Sequence, residues 1–380
     1  MNVKFSRGQG AFLFDNEGKK YLDFGAGIAV NSLGHCHPKL VEALKKQAEK
    51  LWHVSNIYQG AELEKFADDL IAATFADHVF FCNSGAESVE CGIKMIRRYF
   101  YSKNQPDKNR IITFKGAFHG RTMATISAAA KEKYLEGFEP ALDGFDNVEF
   151  GNIEAVRNAI TSKTAGILIE PIQGEEGIRV LTKEFMSDLR KLADENELLL
   201  MFDEVQCGFG RLGYLYGYEY FDVIPDIISS AKGIGGGFPL GACLATKDAA
   251  RGMIIGTHGT TFGGNPLAMA VGDAVLGTIL ADGFLSEVRK NADLLKSGLQ
   301  QLQEKFPHVI AEVRGVGLML GMRLQEKFIP VNVVNDLKEN GLLLVGAGEN
   351  VVRLLPPLII DESNIREAIN ILTKTFQEIG

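Results

Sequence analysis

Three charged residues, Asp203, Glu204 and Lys232, stand where short apolar runs stop. The run at 198–202 ends on the two acids, and the run at 226–231 ends on the lysine, which glycines follow. Runs of this length and composition predict buried parallel strands. In open α/β sheets ligands gather beyond the carboxyl ends of the strands, so Asp203 and Lys232 would face one crevice. A lysine partly desolvated there loses its proton more readily, and its amine can condense with an aldehyde to a Schiff base. A carboxylate beside it can keep a pyridine nitrogen protonated and the ring an electron sink, and pyridoxal phosphate needs that pair. Taken alone, the two residues read more simply as a helix cap and a solvated strand-end charge.

Other segments supply what such a cofactor would need. HVFFC at 78–82 predicts a strand that breaks into NSGAES before a helix running towards Tyr101. A small-residue turn at a helix N-terminus offers unpaired backbone N–H groups, a natural phosphate cradle. After the strand RIITF comes KGAFHGR, where Phe118 could stack on a flat ring and Arg121 bind a carboxylate, unless the first is core and the second merely solvated. GIGGG after Lys232 lacks the GxGxxG spacing of a nucleotide fingerprint, so its glycines are expected to let the chain turn beneath a ring. The polar loop at 258–265 presents adjacent hydroxyls, Thr260 and Thr261, before a helix.

These segments need a frame. Helices at 153–162 and 183–195 alternate with strands at 165–170 and 198–202, which implies a mostly parallel sheet with helices on both faces. Earlier, strands are expected at AFLFD and KYLDF, a close-packed Gly-rich stretch at 25–31, and helices from Pro38 and around 63–71. Beyond about residue 276 the pattern shifts to a long amphipathic helix with Leu285, Val288, Ala292, Leu295, Leu299, Leu302 and Phe306 on one stripe. Strands at 309–314, 318–324, 342–345 and 351–354, a helix from about 331 and a last helix at 365–376 make an α+β lobe. The expected organisation is a large domain over 56–275 and a small domain from 1–55 and 276–380.

With 380 residues, 46% hydrophobic and a net charge of −8, the chain can bury sizeable cores and lacks the basic balance of a general nucleic-acid binder. No apolar run approaches the ~18 residues of a membrane span, and no signal-peptide core opens the sequence, so a cytoplasmic protein without membrane association is expected. Five cysteines contain no CxxC pair, which argues for reduced thiols, and His35, Cys36 and His37 lack the partner cluster of a metal finger.

The segments GIAVNSLGHCHP, NSGAES, FHGRT, EPIQGEEG, FDEVQCGFGR, AKGIGGGFPLGA, HGTTFGGNPLA and VVRLLPPL, in this order almost end to end, resemble the class-III pyridoxal-phosphate aminotransferases of fold type I. The resemblance implies Lys232 as the Schiff-base lysine and Asp203 as the partner of the pyridine nitrogen. It implies a cofactor-contacting set of Ser84, Gly85, Ala86, Phe118, Asp203, Glu204, Val205, Gln206, Lys232 and Thr261, with Thr261 reaching the phosphate in the neighbouring subunit of a homodimer. Arg121 would take the distal carboxylate of substrate or 2-oxoglutarate, Arg353 the α-carboxylate, and Thr260 the acyl end of the substrate. Glu175 would pair with Arg353 and release it in turn. A tyrosine that ornithine-specific members place near Ile28 is absent, which fits an N-acylated donor. The implied reaction is transfer from N-acetylornithine to 2-oxoglutarate in arginine biosynthesis, without metal. N-succinyldiaminopimelate, ornithine or 4-aminobutyrate are alternative donors, and a non-catalytic cofactor-binding protein is the rival from another class.

Overall fold

The computed structural model describes residues 3–58 and 60–380. An antiparallel meander comes first, β1 (Phe5–Gln9), β2 (Phe12–Asp15) and β3 (Lys20–Asp23). Next come β4 (His78–Cys82), β5 (Arg110–Phe114), β6 (Phe145–Val148) and β7 (Thr164–Ile169). A two-stranded hairpin, β8 (Ile172–Gln173) and β9 (Arg179–Val180), precedes β10 (Leu199–Asp203), β11 (Ile227–Ser230) and β12 (Gly241–Ala245). The C-terminal strands are β13 (Ile310–Val316), β14 (Met319–Leu324), β15 (Leu342–Leu343), β16 (Val345–Ala347) and β17 (Val351–Leu354).

The central sheet has seven strands in the order β4, β12, β11, β10, β7, β5, β6. Every neighbouring pair is parallel except the two that β12 makes, with β11 and β4. All residues of β10 are buried because both faces are covered, and the side chains alternate between two cores. Leu199 and Met201 join Ile96 and Phe100 of the helix Gly85–Ser102, whereas Leu200 and Phe202 join Phe66, Met186 and Met269 from helices on the opposite face. At about 1.5–3 kcal/mol per large apolar side chain buried, this two-sided cover fixes the height at which β10 delivers Asp203. The expected α/β architecture, with helices on both faces, is therefore what the chain adopts.

The two ends of the chain are joined, since β15 pairs in parallel with β3. The other C-terminal strands form a separate antiparallel sheet, β13, β14, β17, β16. Three local expectations need correction. The run at 342–345 is not one strand: β15 belongs to the N-terminal sheet and β16 to the C-terminal one, so the chain changes sheets at Leu344. The helix expected at 153–162 stops at Ala159, because Ile160 is extended and Thr164 Oγ1 accepts the Thr161 N–H. The loop after Lys232 contains a 3-10 turn, Lys232–Gly235. Among the described residues no single helix is long and apolar enough to cross a membrane.

Candidate active site

Asp203 closes β10 opposite Ser229 of the parallel strand β11, and Lys232 opens the 3-10 turn two residues after β11 ends. Both side chains face a cavity of about 360 Å³, also lined by Ser84, Gly85, Ala86, Phe118 and Val205. Lys232 has φ +51°, a left-handed conformation that costs free energy in a non-glycine residue and is tolerated where surrounding structure fixes it. Desolvation holds its amine below the ordinary lysine range, while Glu175 and Asp203 partly oppose that shift. The uncharged amine, the form that can act as nucleophile or base, is thereby favoured.

Asp203 is held from two sides. Its Oδ2 lies 2.7 Å from Nδ1 of the buried His119, and its Oδ1 accepts the Val205 N–H at 3.1 Å. A carboxylate only accepts, so His119 presents its Nδ1 proton to Asp203. His119 Nε2 is buried with no partner among the described residues. Glu170, the residue after β7, accepts the Phe118 N–H at 2.9 Å and fixes the aromatic wall. Burial, then the nearby Asp203, push the Glu170 carboxyl well above the usual range, favouring its protonated form. His119 and Glu170 were not singled out from sequence, although FHGRT and EPIQGEEG contain them. Their proximity to Asp203 and Phe118 is set by strand order, which residue types do not reveal.

The phosphate-like corner is built by the start of the helix Gly85–Ser102. Ser84 is its N-cap, with Oγ accepting the Glu87 N–H at 3.3 Å. The N–H groups of Gly85 and Ala86 belong to the first turn, which has no intrahelical acceptors for them, and the helix dipole adds positive potential there. A Cβ on Gly85 would stand 2.8 Å from Val205 Cγ1, so only glycine lets the turn sit against the end of β10.

A run of positive φ angles shapes the far wall: Ala26 (46°), Gly27 (66°), Ile28 (64°) and Ala29 (62°) form a left-handed turn. Three of these four residues carry a Cβ, at a cost of about 1–2 kcal/mol each. Asp23 Oδ1 offsets that cost by accepting the Gly25 and Ala26 N–H groups at 3.0 and 2.8 Å, and Asp23 Oδ2 meets His35 Nε2 at 2.7 Å. The turn leaves Ile28 partly exposed and directs Val30 into the cavity wall.

The remaining expected site residues are not among those that line this cavity. Arg353, with a fully buried side chain on β17, pairs with Glu175 at 2.6 Å and donates to the Gly346 carbonyl at 3.1 Å. Gln206 is buried with Oε1 lacking a partner among the described residues. Arg121 extends over the rings of Tyr134 and Phe118, at 3.8 and 4.9 Å. Thr260 and Thr261 line a neighbouring cavity with Asn83 and Glu87. Glu204 departs from expectation: its carboxylate turns away from the cavity and accepts the N–H groups of Gly217 and Tyr218. Its side chain is an anchor for the next helix, and burial pushes its pKa up to about 8.

The family description "Aminotransferase class-III" matches residues 1–376. The chain belongs to this family. An acetylornithine aminotransferase of Agrobacterium fabrum is 58% identical over 368 residues, covering 97% of this chain and 92% of the relative. One from Brucella melitensis is 55% identical over 379 residues, covering 100% and 93%. Among solved structures, an N-acetylornithine aminotransferase of Stenotrophomonas maltophilia matches with TM-score 0.87 at 37% identity, covering 100% of this chain and 96% of that one. An ornithine aminotransferase of Toxoplasma gondii matches with TM-score 0.96 at 31% identity, covering 100% and 91%, and is described with partial occupancy of PLP at its active site. This class-III chain is a pyridoxal-phosphate-dependent aminotransferase of fold type I. The cavity suits that cofactor, with a helix N-terminus for an anion, a desolvated lysine amine, a fixed carboxylate and an aromatic wall.

Proposed function

We propose that this aminotransferase moves the δ-amino group of N2-acetylornithine to 2-oxoglutarate, giving N-acetylglutamate 5-semialdehyde and glutamate, a step of arginine biosynthesis. The relatives' names support the donor. The observation that carries the reading is the Glu175–Arg353 pair near Lys232, set against the differently engaged Arg121. A donor that reacts through its distal amine brings no carboxylate to Arg353, so that buried guanidinium needs its own counter-ion. A dicarboxylic acceptor brings one, and Glu175, a quarter exposed, can swing towards solvent.

The residues that would hold the cofactor are Lys232 at its aldehyde carbon, Asp203 at its ring nitrogen, Phe118 on its face, Gln206 near its ring hydroxyl, and the Gly85 and Ala86 N–H groups, with Ser84 and Val205 completing the cradle. When bound, pyridoxal phosphate supplies an electron sink for the bonds at the reacting carbon. Lys232 Nζ, whose proton desolvation loosens, takes a proton from the δ carbon of the donor and delivers it again as an acid. Asp203, oriented by His119, would face the ring nitrogen and favour its protonated form. Arg121 binds the distal carboxylate bidentately, and Arg353 takes the α-carboxylate of 2-oxoglutarate once Glu175 has released it.

Thr260 and Thr261 serve the site of a second copy in this reading, Thr260 at the substrate acyl end and Thr261 at the phosphate. The exposure of Thr261 beside the exposed Phe262 supports a homodimer with shared sites. The division into 56–275 and 1–55 plus 276–380 is part of the same proposal, supported by the pairing of β3 with β15. Lys232→Ala should abolish transamination while the protein stays folded and binds the cofactor without a covalent link. Normal turnover by that variant would overturn the assignment.

A further inference from the structure

Glu175 sits in the turn of the hairpin β8–β9, and Arg353, its partner, sits on β17. One short segment, the end of β16 and the turn after it, contacts both. Arg353 Nη2 donates to the Gly346 carbonyl at 3.1 Å, and the Gly348 N–H donates to the Glu175 carbonyl at 2.9 Å. Backbone packs on backbone across this contact. A Cβ on Gly177 would stand 2.6 Å from the Gly348 carbonyl oxygen, and one on Gly348 would stand 3.1 Å from Glu176 Cα. The segment therefore touches the guanidinium through one glycine and the main chain of its counter-ion through another.

The turn that makes this contact is not one the backbone prefers. Glu349 and Asn350 have φ +52° and +61°, two left-handed residues in succession. That conformation is costly for any residue with a Cβ, more so for Glu than for Asn, and persists only where surrounding contacts over-determine it. Asn350 is held through its amide. Its Nδ2 donates to the Leu324 and Gln325 carbonyls, both at 3.1 Å, and its own carbonyl accepts the Leu324 N–H at 2.9 Å. Glu349 is held by charge. Its Oε2 accepts from Arg314 Nη2 at 2.8 Å, and its Oε1 lies 3.5 Å from Arg179 Nε. Arg314 belongs to β13, whereas Arg179 belongs to β9, the return strand of the hairpin that carries Glu175. Arg179 also donates to Gln173 Oε1 on β8 at 3.3 Å, and Gln173 Nε2 donates to the Lys115 carbonyl at 2.9 Å. One carboxylate thus ties the C-terminal sheet to both strands of the hairpin. Glu349 is 39% exposed, so each ion pair is partly screened and modest, and the two act through a shared acceptor.

We propose that Glu349 is a positioning residue for the exchange of partners at Arg353. By clasping Arg314 and Arg179 it fixes the Gly348 turn against the β8–β9 hairpin, and so holds the main chain of Glu175 still while only its side chain leaves Arg353. This inference rests on the exchange proposed above. Glu349 acts through the hairpin, as a support for Glu175. A hairpin fixed in this way favours the paired arrangement that an N-acylated donor meets. With Glu349 uncharged the hairpin is freer and Glu175 is held less firmly to Arg353. The donor half-reaction is then the one that weakens, because glutamate supplies its own carboxylate to the guanidinium.

The test uses Glu349→Gln, which removes the charge and keeps the side-chain length. In the holoenzyme, the ratio of kcat/KM for glutamate to kcat/KM for N-acetylornithine should rise about fourfold, the loss of two partly screened ion pairs. A general folding defect would lower both half-reactions together and leave that ratio alone. When Glu349→Gln is added to Glu175→Gln, where no charged pair is left to position, the ratio should move by less than twofold. Glu349→Gly, which adopts a positive φ readily, should match Glu349→Gln and so assign the effect to the lost charge rather than to the turn's strain. Hydrogen exchange gives a readout apart from activity: peptides covering Gly348 should exchange at least threefold faster in Glu349→Gln than in the unsubstituted holoenzyme. Unchanged exchange at Gly348 overturns the proposal, as does a fourfold rise in the ratio that persists in the Glu175→Gln background. A ratio within twofold of the original in Glu349→Gln, while Glu175→Gln alone raises it strongly, overturns this inference and leaves the exchange standing. If Glu175→Gln alone leaves the ratio unmoved, the exchange itself fails, and the role given to Glu349 falls with it.

Discussion

Glu175→Gln isolates the charge of the Glu175–Arg353 pair while keeping an oxygen that can accept from the guanidinium. The two groups are 2.6 Å apart at their nearest atoms, with Arg353 1% and Glu175 26% exposed. Two unit charges with centres about 4 Å apart attract by about 4 kcal/mol at an effective dielectric constant near 20. Glu175 is a quarter exposed, so roughly half of that, about 2 kcal/mol, is a fair expectation for the charge term. The loss falls on one half-reaction. N-acetylornithine brings no carboxylate to Arg353 and would meet an uncompensated guanidinium, whereas glutamate brings its own and is spared the exchange. The ratio of kcat/KM for glutamate to kcat/KM for N-acetylornithine should therefore rise about 30-fold. Each half-reaction can be followed separately by the visible absorbance of the bound cofactor, with no second substrate present. Arg353 keeps its bond to the Gly346 carbonyl, so the variant is expected to fold. A ratio within about threefold of the original would refute the exchange, because it leaves less than half of the expected charge term.

Three other perturbations test separate parts of the site. Arg121→Ala should raise KM for 2-oxoglutarate about tenfold or more while cofactor loading is unchanged, and equal kinetics would remove this guanidinium from the site. Gly85→Ala puts a methyl group 2.8 Å from Val205 Cγ1 and should weaken pyridoxal-phosphate affinity by about tenfold, the effect of roughly 1–2 kcal/mol of overpacking. Unchanged affinity by equilibrium dialysis would show that the turn does not cradle the cofactor. Glu204 has its pKa raised by burial from 4.5 to about 8, so the folded state holds a proton that the unfolded state has lost across that interval. Stability contributed by this group falls as pH rises through the interval, and Glu204→Gln should flatten the decline of Tm. An unaltered slope would mean that Glu204 is not the titrating group.

The parts of the fold visible in the sequence are those where one element faces one environment. HVFFC, RIITF and LLLMFD are short apolar runs because both faces of their strands are covered, and they appear as β4, β5 and β10. The stripe from Leu285 to Leu302 needs only helical periodicity and becomes the helix Phe284–Lys305. What was hidden depends on long-range partners. β1 has the polar sequence FSRGQ and exists because it pairs with β2. The left-handed turn at Ala26–Ala29 includes alanines and an isoleucine, residue types that do not announce positive φ, and Asp23 holds its start in place. That β12 runs against its neighbours could not be read from GACLA, since apolar content does not encode direction. Asp203 and Lys232 stood out as candidates because each follows a buried run, and the resemblance of the surrounding segments favoured the catalytic reading over a helix cap and a solvated charge. His119 and Glu170 contact Asp203 and the Phe118 N–H, neighbours that sequence spacing does not bring near, and Glu204 entered the cofactor-contacting set through the resemblance while its side chain bonds Gly217 and Tyr218.

The amine that this cavity accepts is tested most directly by the visible absorbance of the purified holoenzyme before and after N-acetylornithine is added without any keto acid. The yellow band of the lysine-bound cofactor should bleach as the amino group is taken up, and 2-oxoglutarate should restore it with formation of glutamate. A band that N-acetylornithine leaves untouched, while ornithine, 4-aminobutyrate or N-succinyldiaminopimelate bleaches it, would contradict the proposed donor.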